Sequence, residues 1–349
     1  MSSVRVSLRS ARLARVGMDD DAADPELGAQ PVKRPPLGQG FKTPLSHRIA
    51  EKLIALMALS AVAAVALIFI FVAKEALPLA WEQLDGMRLL DLFLPRTWTG
   101  YHEAVYIWQP VGTPEKFNVV PLFLGSLKVT LLAMIFSVPL GVGCAIYLAL
   151  YAPRRMREIV KPVIELLAAV PSVVLGFFAL MVLATWLQDA FGWHFRLNAA
   201  VAAVGLSLTI VPVIFTISED ALAAVPHSLS EAAMALGARK YQVALRIIVP
   251  TAAPGIAAGV ILGFGRAIGE TMIVLMASGN AAIMKPFDFT TSVRTVTASI
   301  AAELGEVAQG DPHWRVLFLL GAMLFAITFA LNFVGSVAIR RLEKRLTAT

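Results

Sequence analysis

Cysteine is almost absent: Cys144 is the only one in 349 residues. It lies inside an apolar run, so the chain can form no internal disulfide and no cysteine-based metal site. Histidine is scarce and scattered, at His47, His102, His194, His227 and His313, and no two have the spacing of a helical zinc site. No Gly-x-x-x-x-Gly-Lys-Ser/Thr run occurs, which excludes a nucleotide-binding loop of the chain's own. The Gly-x-Ser-x-Gly elbow of serine hydrolases is also missing. Charge is low, at 15% of residues. These absences point away from an enzyme with a resident metal or cofactor.

What is abundant is apolar sequence. Hydrophobic residues make up 58% of the chain, and the mean hydropathy is +0.73. That composition belongs in a membrane. Six runs reach the roughly 20 apolar residues that cross a bilayer: 53–73, 129–152, 162–187, 199–218, 255–279 and 316–339. Four carry no charge; the third holds Glu165 and the fifth holds Arg266 and Glu270. The alternating ten-residue pattern of a membrane barrel does not occur, so an all-α membrane protein of six helices is expected.

The net charge of +6 reads as a topology signal. With six spans both termini share a side. Twenty basic residues fall on that side and nine on the other, which predicts cytoplasmic termini. Arg154, Arg155, Arg157, Arg340, Arg341, Lys344 and Arg345 are then expected at inner headgroups, not on nucleic acid. Residues 1–46 are polar and proline-bearing and read as a disordered cytoplasmic tail. An anchor at 47–73 follows, then an outer loop at 74–124 with Trp81, Trp98, Tyr101, Tyr106 and Trp108. Those aromatics fit an interfacial belt or a docking surface for an outer partner. A compact five-span block at 125–339 and a basic tail at 340–349 complete the division.

Between the fourth and fifth runs lies a polar loop, 219–254. Ser228-Leu-Ser-Glu231 fits a capping box, with Ser228 at the N-cap. A helix over 229–236 is predicted, about 12 Å long. Gly237 suits the left-handed residue beyond its end. A second short helix over 239–249 would be stopped by Pro250. The small surface residues Ala232 and Ala233 allow close approach of a partner.

This loop resembles the cytoplasmic EAA loop of ABC importer permeases. Glu231-Ala232-Ala233 occupies the first places, Gly237 the seventh, Ile247 the seventeenth and Pro250 the twentieth; Val249 stands where the pattern has Leu. Further runs extend the resemblance. Pro171-Ser172-Val-Val-Leu-Gly-Phe177 looks like the family's IPSVV-x-GF run. Gly265-Arg266-Ala-Ile-Gly-Glu270-Thr271 looks like the GRA-x-GET run of phosphate importer permeases. Met272 and Gly279-Asn280 look more like the C-type than the A-type permease of the Pst importers. The resemblance covers 125 to the C-terminus and implies a type I ABC importer permease fold. It also implies an A-type sister permease, a dimeric cytoplasmic ATPase that binds the ATP and Mg, and a periplasmic phosphate-binding protein. No cofactor is expected on this chain.

Arg266 and Glu270 are the expected substrate-path residues. A mid-bilayer charge costs about 2.5–3.5 kcal/mol on insertion scales. At i and i+4 on one helix face the two would pair, and the guanidinium fork matches phosphate. Glu270 would steady Arg266 and accept a hydrogen bond from protonated phosphate. A purely structural pair locking the fifth span is the other reading. Thr271, Ser172 and Lys128 are further path candidates, Lys128 otherwise snorkelling to headgroups. Glu165 is expected to pair with Arg154, Arg157 or Lys161. Another oxyanion such as molybdate or sulfate, an ATP-independent carrier, and a transport-free scaffold are the rival readings.

Overall fold

The computed structural model describes residues 45–81, 88–98 and 100–347. Nearly all of the predicted 1–46 tail lies outside them. The chain divides into two compact units, Met1–Ala61 and Val62–Thr349. Helix α1, Leu45–Ala76, carries the first apolar run. The other long helices are α2, Val120–Leu150; α4, Ser172–Phe191; α5, Ala199–Ala223; α7, Lys240–Gly269; and α10, Pro312–Thr347. Shorter helices lie between them: α3, Arg154–Ala169; α6, His227–Ala235; α8, Met272–Ala277; and α9, Val296–Glu303. Among the described residues, six helices are long and apolar enough to cross a membrane.

Helix α5 is the centre of the second unit, because small residues let its neighbours approach. Ala202, Ala203, Leu206, Ile210 and Ile214 are wholly buried, against Ala133 and Met134 of α2 and Ala267 of α7. Asn198 starts α5 by accepting the Val201 amide at 3.0 Å, a cap for an otherwise orphan donor. The α5–α7 seam is a glycine row. A Cβ on Gly255 would lie 2.4 Å from Ala221 Cβ, one on Gly259 3.2 Å from Ile217, and one on Gly263 2.8 Å from Ile214. Glycine at every fourth position brings two backbones together, the small-xxx-small packing of membrane helices.

The third span begins later than the sequence suggested. Run 162–187 is not one helix: Val170 is extended, Pro171 follows, and α4 starts afresh at Ser172. The residue before a proline is pushed out of the helical region, which explains the break. Residues 162–169 instead end α3, an amphipathic helix. Its outward stripe is Met156, Ile159, Val163 and Leu166, and its other side carries Arg157 and Lys161 to α5.

The fifth span is shifted the other way. It begins at Lys240, not 255, and Pro250 does not stop it. A π-helical turn at Ala244–Ile248 precedes the proline. The wider turn makes room for the pyrrolidine ring and re-routes the lost amide bond. The span then ends at Gly269, where Glu270 is extended at φ −69° and ψ 132°.

The described residues of segment 74–124 are not a loose loop. Strands β1, Trp108–Gln109, and β2, Lys116–Phe117, pair antiparallel. Trp98, Trp108 and Phe117 are buried with Val296 of α9 and Val316, Leu317 and Leu320 of α10. Trp98 and Trp108 are therefore core residues and not members of an interfacial belt; Trp81 and Tyr101 stay exposed. Glu303 ties the segment down, accepting from Trp108 Nε1 at 3.0 Å and pairing with Arg294 and with His313 at 2.8 Å. At the far end, helix α10 continues through Arg340 and Arg341, so the predicted tail at 340–349 is largely helical.

Candidate functional site

Helix α6 begins two residues earlier than the capping box implied. Pro226 is the N-cap, and its fixed φ starts the helix at His227. Ser228 caps nothing; Ser230 Oγ donates to the His227 carbonyl at 2.8 Å. The C-terminal end follows the expectation. Gly237 has φ +85°, its amide reaches Met234 O at 2.9 Å, and the Ala238 amide reaches Ala233 O at 3.1 Å. This pair of bonds is the Schellman stop. Glu231 and Ala232 are exposed and Ala233 is buried, while Pro250 lies inside α7. Leu236 is 90% exposed at the tip of the loop.

The root of this loop is clamped by ions that the sequence reading paired wrongly. Glu219, near the end of α5, is fully buried. It receives the Arg157 guanidinium and the Lys161 ammonium, the latter at 2.6 Å, and Lys161 also reaches Asp220 at 3.3 Å. The hydrogen bond to Glu219 holds the Lys161 ammonium above its ordinary pKa. Arg154 pairs with Glu158, and Glu165 is exposed with no ion pair among the described residues. Neighbours in sequence lost to a partner across the fold. The available signal was Glu219 itself, an acid at the end of an apolar run, facing basic residues spaced i and i+4 on an amphipathic helix.

Arg266 and Glu270 do not pair. Helix α7 ends between them, so they share no helical face. Glu270 Oε1 accepts the Met272 amide at 3.2 Å, and its carbonyl accepts Thr297 Oγ1 at 2.9 Å. Thr271 Oγ1 sits 3.4 Å from Gly269 O, within the same break. Arg266 is exposed and has no ion pair or side-chain hydrogen bond among the described residues. It lines a groove of about 660 Å³ between α7 and α10, together with Gly265, Gly269, Thr328 and Asn332.

The two other candidates lie apart from this groove's lining. Lys128 does not snorkel. It is buried, donates to Lys285 O at 2.8 Å and to the Asp288 carbonyl, and lies over the Phe289 ring. A connecting loop with carbonyls to satisfy accounts for that inward course. Ser172 is the first residue of α4, whose Gly176 packs on Met272 and Ile273 of α8.

These elements define an ABC importer permease of type I. The fold matches a bacterial ABC transporter involved in import of the acidic polysaccharide alginate, with TM-score 0.57 and 14% identity over 85% of this chain and 98% of that one. It also matches an inward-facing MetNI methionine ABC transporter, with TM-score 0.51 and 17% identity over 64% and 95%. Residues 137–348 match the family described as binding-protein-dependent transport system inner membrane component. The chain is 33% identical over 260 residues to the phosphate transport system permease protein PstC of Mesorhizobium japonicum, covering 69% of this chain and 78% of that one. It is 30% identical over 302 residues to PstC of Xylella fastidiosa, covering 81% and 89%. The probable ABC transporter permease YqgH of Bacillus subtilis is 35% identical over 224 residues, or 64% and 72%. The chain belongs to this permease family, in its PstC-type branch.

Proposed function

We propose that this chain is the C-type permease subunit of an ATP-driven phosphate importer of the bacterial inner membrane. It forms half of the translocation path, and an A-type sister permease supplies the other half. A periplasmic phosphate-binding protein delivers the anion. Two cytoplasmic ATPase subunits, which hold the ATP and Mg, grip the EAA loops and drive alternating access. Both termini and α6 face the cytoplasm, in line with the basic-residue bias.

Arg266 carries the substrate reading. A guanidinium left without a partner in a membrane span belongs in a wet path or an assembly interface, not against lipid. An anion in transit satisfies it, and the run around it resembles the GRA-x-GET run of phosphate importer permeases, which supports this reading. Glu270 and Thr271 border the same break, and Glu270 keeps one carboxylate oxygen for a protonated phosphate. Leu236 and the stiff, capped α6 support the coupling reading, since so exposed a leucine calls for a groove in a partner.

The test is Arg266→Gln in the assembled transporter. The complex is expected to be recovered in normal amount while phosphate uptake stops. Normal uptake by a well-expressed variant removes Arg266 from the path.

A further inference from the structure

We infer that Asn332 on α10 is a second substrate-contacting residue of the oxyanion path, donating its amide to the anion beside Arg266. The inference rests on the reading of Arg266 as a path residue.

Asn332 stands well inside the span Pro312–Lys344. It is exposed, and its carboxamide makes no hydrogen bond among the described residues. Its neighbours one turn away on the same face behave differently. Thr328 Oγ1 donates to Leu324 O and Phe325 O, each at 2.9 Å, and Ser336 Oγ donates to Asn332 O at 2.8 Å. Both hydroxyls are absorbed by their own helix, the usual fate of Ser and Thr in membranes. Asn332 alone of the three turns its polar group outward. An amide left dry in hydrocarbon is costly, so it needs water, a partner helix or a ligand.

The groove selects among these. Asn332 and Arg266 line it together. A Cβ built on Gly265 would lie 3.5 Å from Asn332 Oδ1 and 3.6 Å from Nδ2. The carboxamide thus rests against the α7 backbone one residue from Arg266. Amide and guanidinium, each without a partner, converge on one concave surface and present donors without a carboxylate among the lining residues. That is the chemistry of an oxyanion site: one charge for attraction and a neutral donor for orientation. A neutral second donor also leaves the anion free to depart, as a transport path requires.

The experiment measures phosphate uptake and recovery of the assembled transporter in cells lacking other phosphate importers. Asn332→Leu removes the donor and keeps the volume. Uptake is expected to fall about tenfold with the complex recovered in full, the size of one hydrogen bond to a charged group. Asn332→Gln is expected to restore most of it. Asn332→Asp, nearly isosteric, places a negative charge in the groove and is expected to abolish uptake in an intact complex. Uptake within about twofold of the parent in Asn332→Leu or Asn332→Asp overturns the inference. So does loss of assembly in Asn332→Leu with normal uptake in Asn332→Asp, which would make the residue a helix contact. Arg266→Gln in parallel separates the two readings. If it alone stops uptake, only the Asn332 inference falls; if it transports normally, the path reading falls first.

Discussion

Glu219 shows how much a single buried carboxylate determines here. It is fully buried, and its two cationic partners come from α3, so it joins α3 to α5 just before the chain turns into the EAA loop. Removing the charge leaves Arg157 without its ion pair and Lys161 with only Asp220 at 3.3 Å. Breaking a buried pair from one side costs about 3–5 kcal/mol, and partial exposure of the two bases lowers the figure to about 2–3 kcal/mol. Glu219→Gln should lower the unfolding midpoint of the purified protein and speed proteolysis within α3. An unchanged midpoint would show that the clamp is dispensable. The pair carries a definite pH dependence. The folded-state pKa of Lys161 is raised, so its contribution is complete below the unfolded value and is lost only as pH rises through the folded one. Stability from this group should be flat across neutral pH and decline only in strong alkali. At this scale the sequence drew attention to Arg266 but not to Glu219, and it did not show what either one touches. Arg266 was legible because a charge inside an apolar run is rare. Its lack of a partner was not, because nothing about Gly269 distinguishes it from the other glycines of α7, and the helix end there undoes the i, i+4 geometry.

Among the elements, the α5–α7 seam is set by side-chain absence. The row Gly255, Gly259 and Gly263 stands at helical spacing, so it was present in the sequence as a packing signal, although the span that carries it was taken to start at Gly255 itself. Where a span begins is hidden because π turns and prolines shift helix ends without changing composition. Pro250 shows this: alone it reads as a stop, and only the preceding π turn lets α7 run through it. The seam gives a paired prediction. Gly255→Ala puts a methyl 2.4 Å from Ala221 Cβ and should cost about 1–3 kcal/mol by overpacking. Gly143→Ala in α2 meets nothing within 4 Å and should gain up to about 1 kcal/mol from helix propensity. Thermal unfolding of both variants in one detergent checks the contrast. Equal midpoints would mean that the seam is loose enough to absorb a methyl group.

At the scale of the whole molecule, membrane class, span number and permease fold could be read from the sequence, because long apolar runs and the EAA spacing are local features. The burial of Trp98 and Trp108 was not legible, since it depends on α9 and α10, nearly two hundred residues away in sequence. The same gap between local and distant information bears on the coupling loop. Its helix, glycine stop and exposed Leu236 are internal to the chain, but the role proposed for them depends on a second subunit. Leu236→Cys in a Cys144→Ser background turns that dependence into a measurement, because Cys144 is the only native thiol. A membrane-impermeant maleimide should label Leu236→Cys in inside-out vesicles and not in intact cells. Assembly with the ATPase should slow labelling at least about tenfold, as burial in a groove would. Labelling from the outside would invert the topology. Equal labelling with and without the ATPase would leave the most exposed leucine of the loop without a partner, and α6 would then have to act through Glu231 and Ala232 alone.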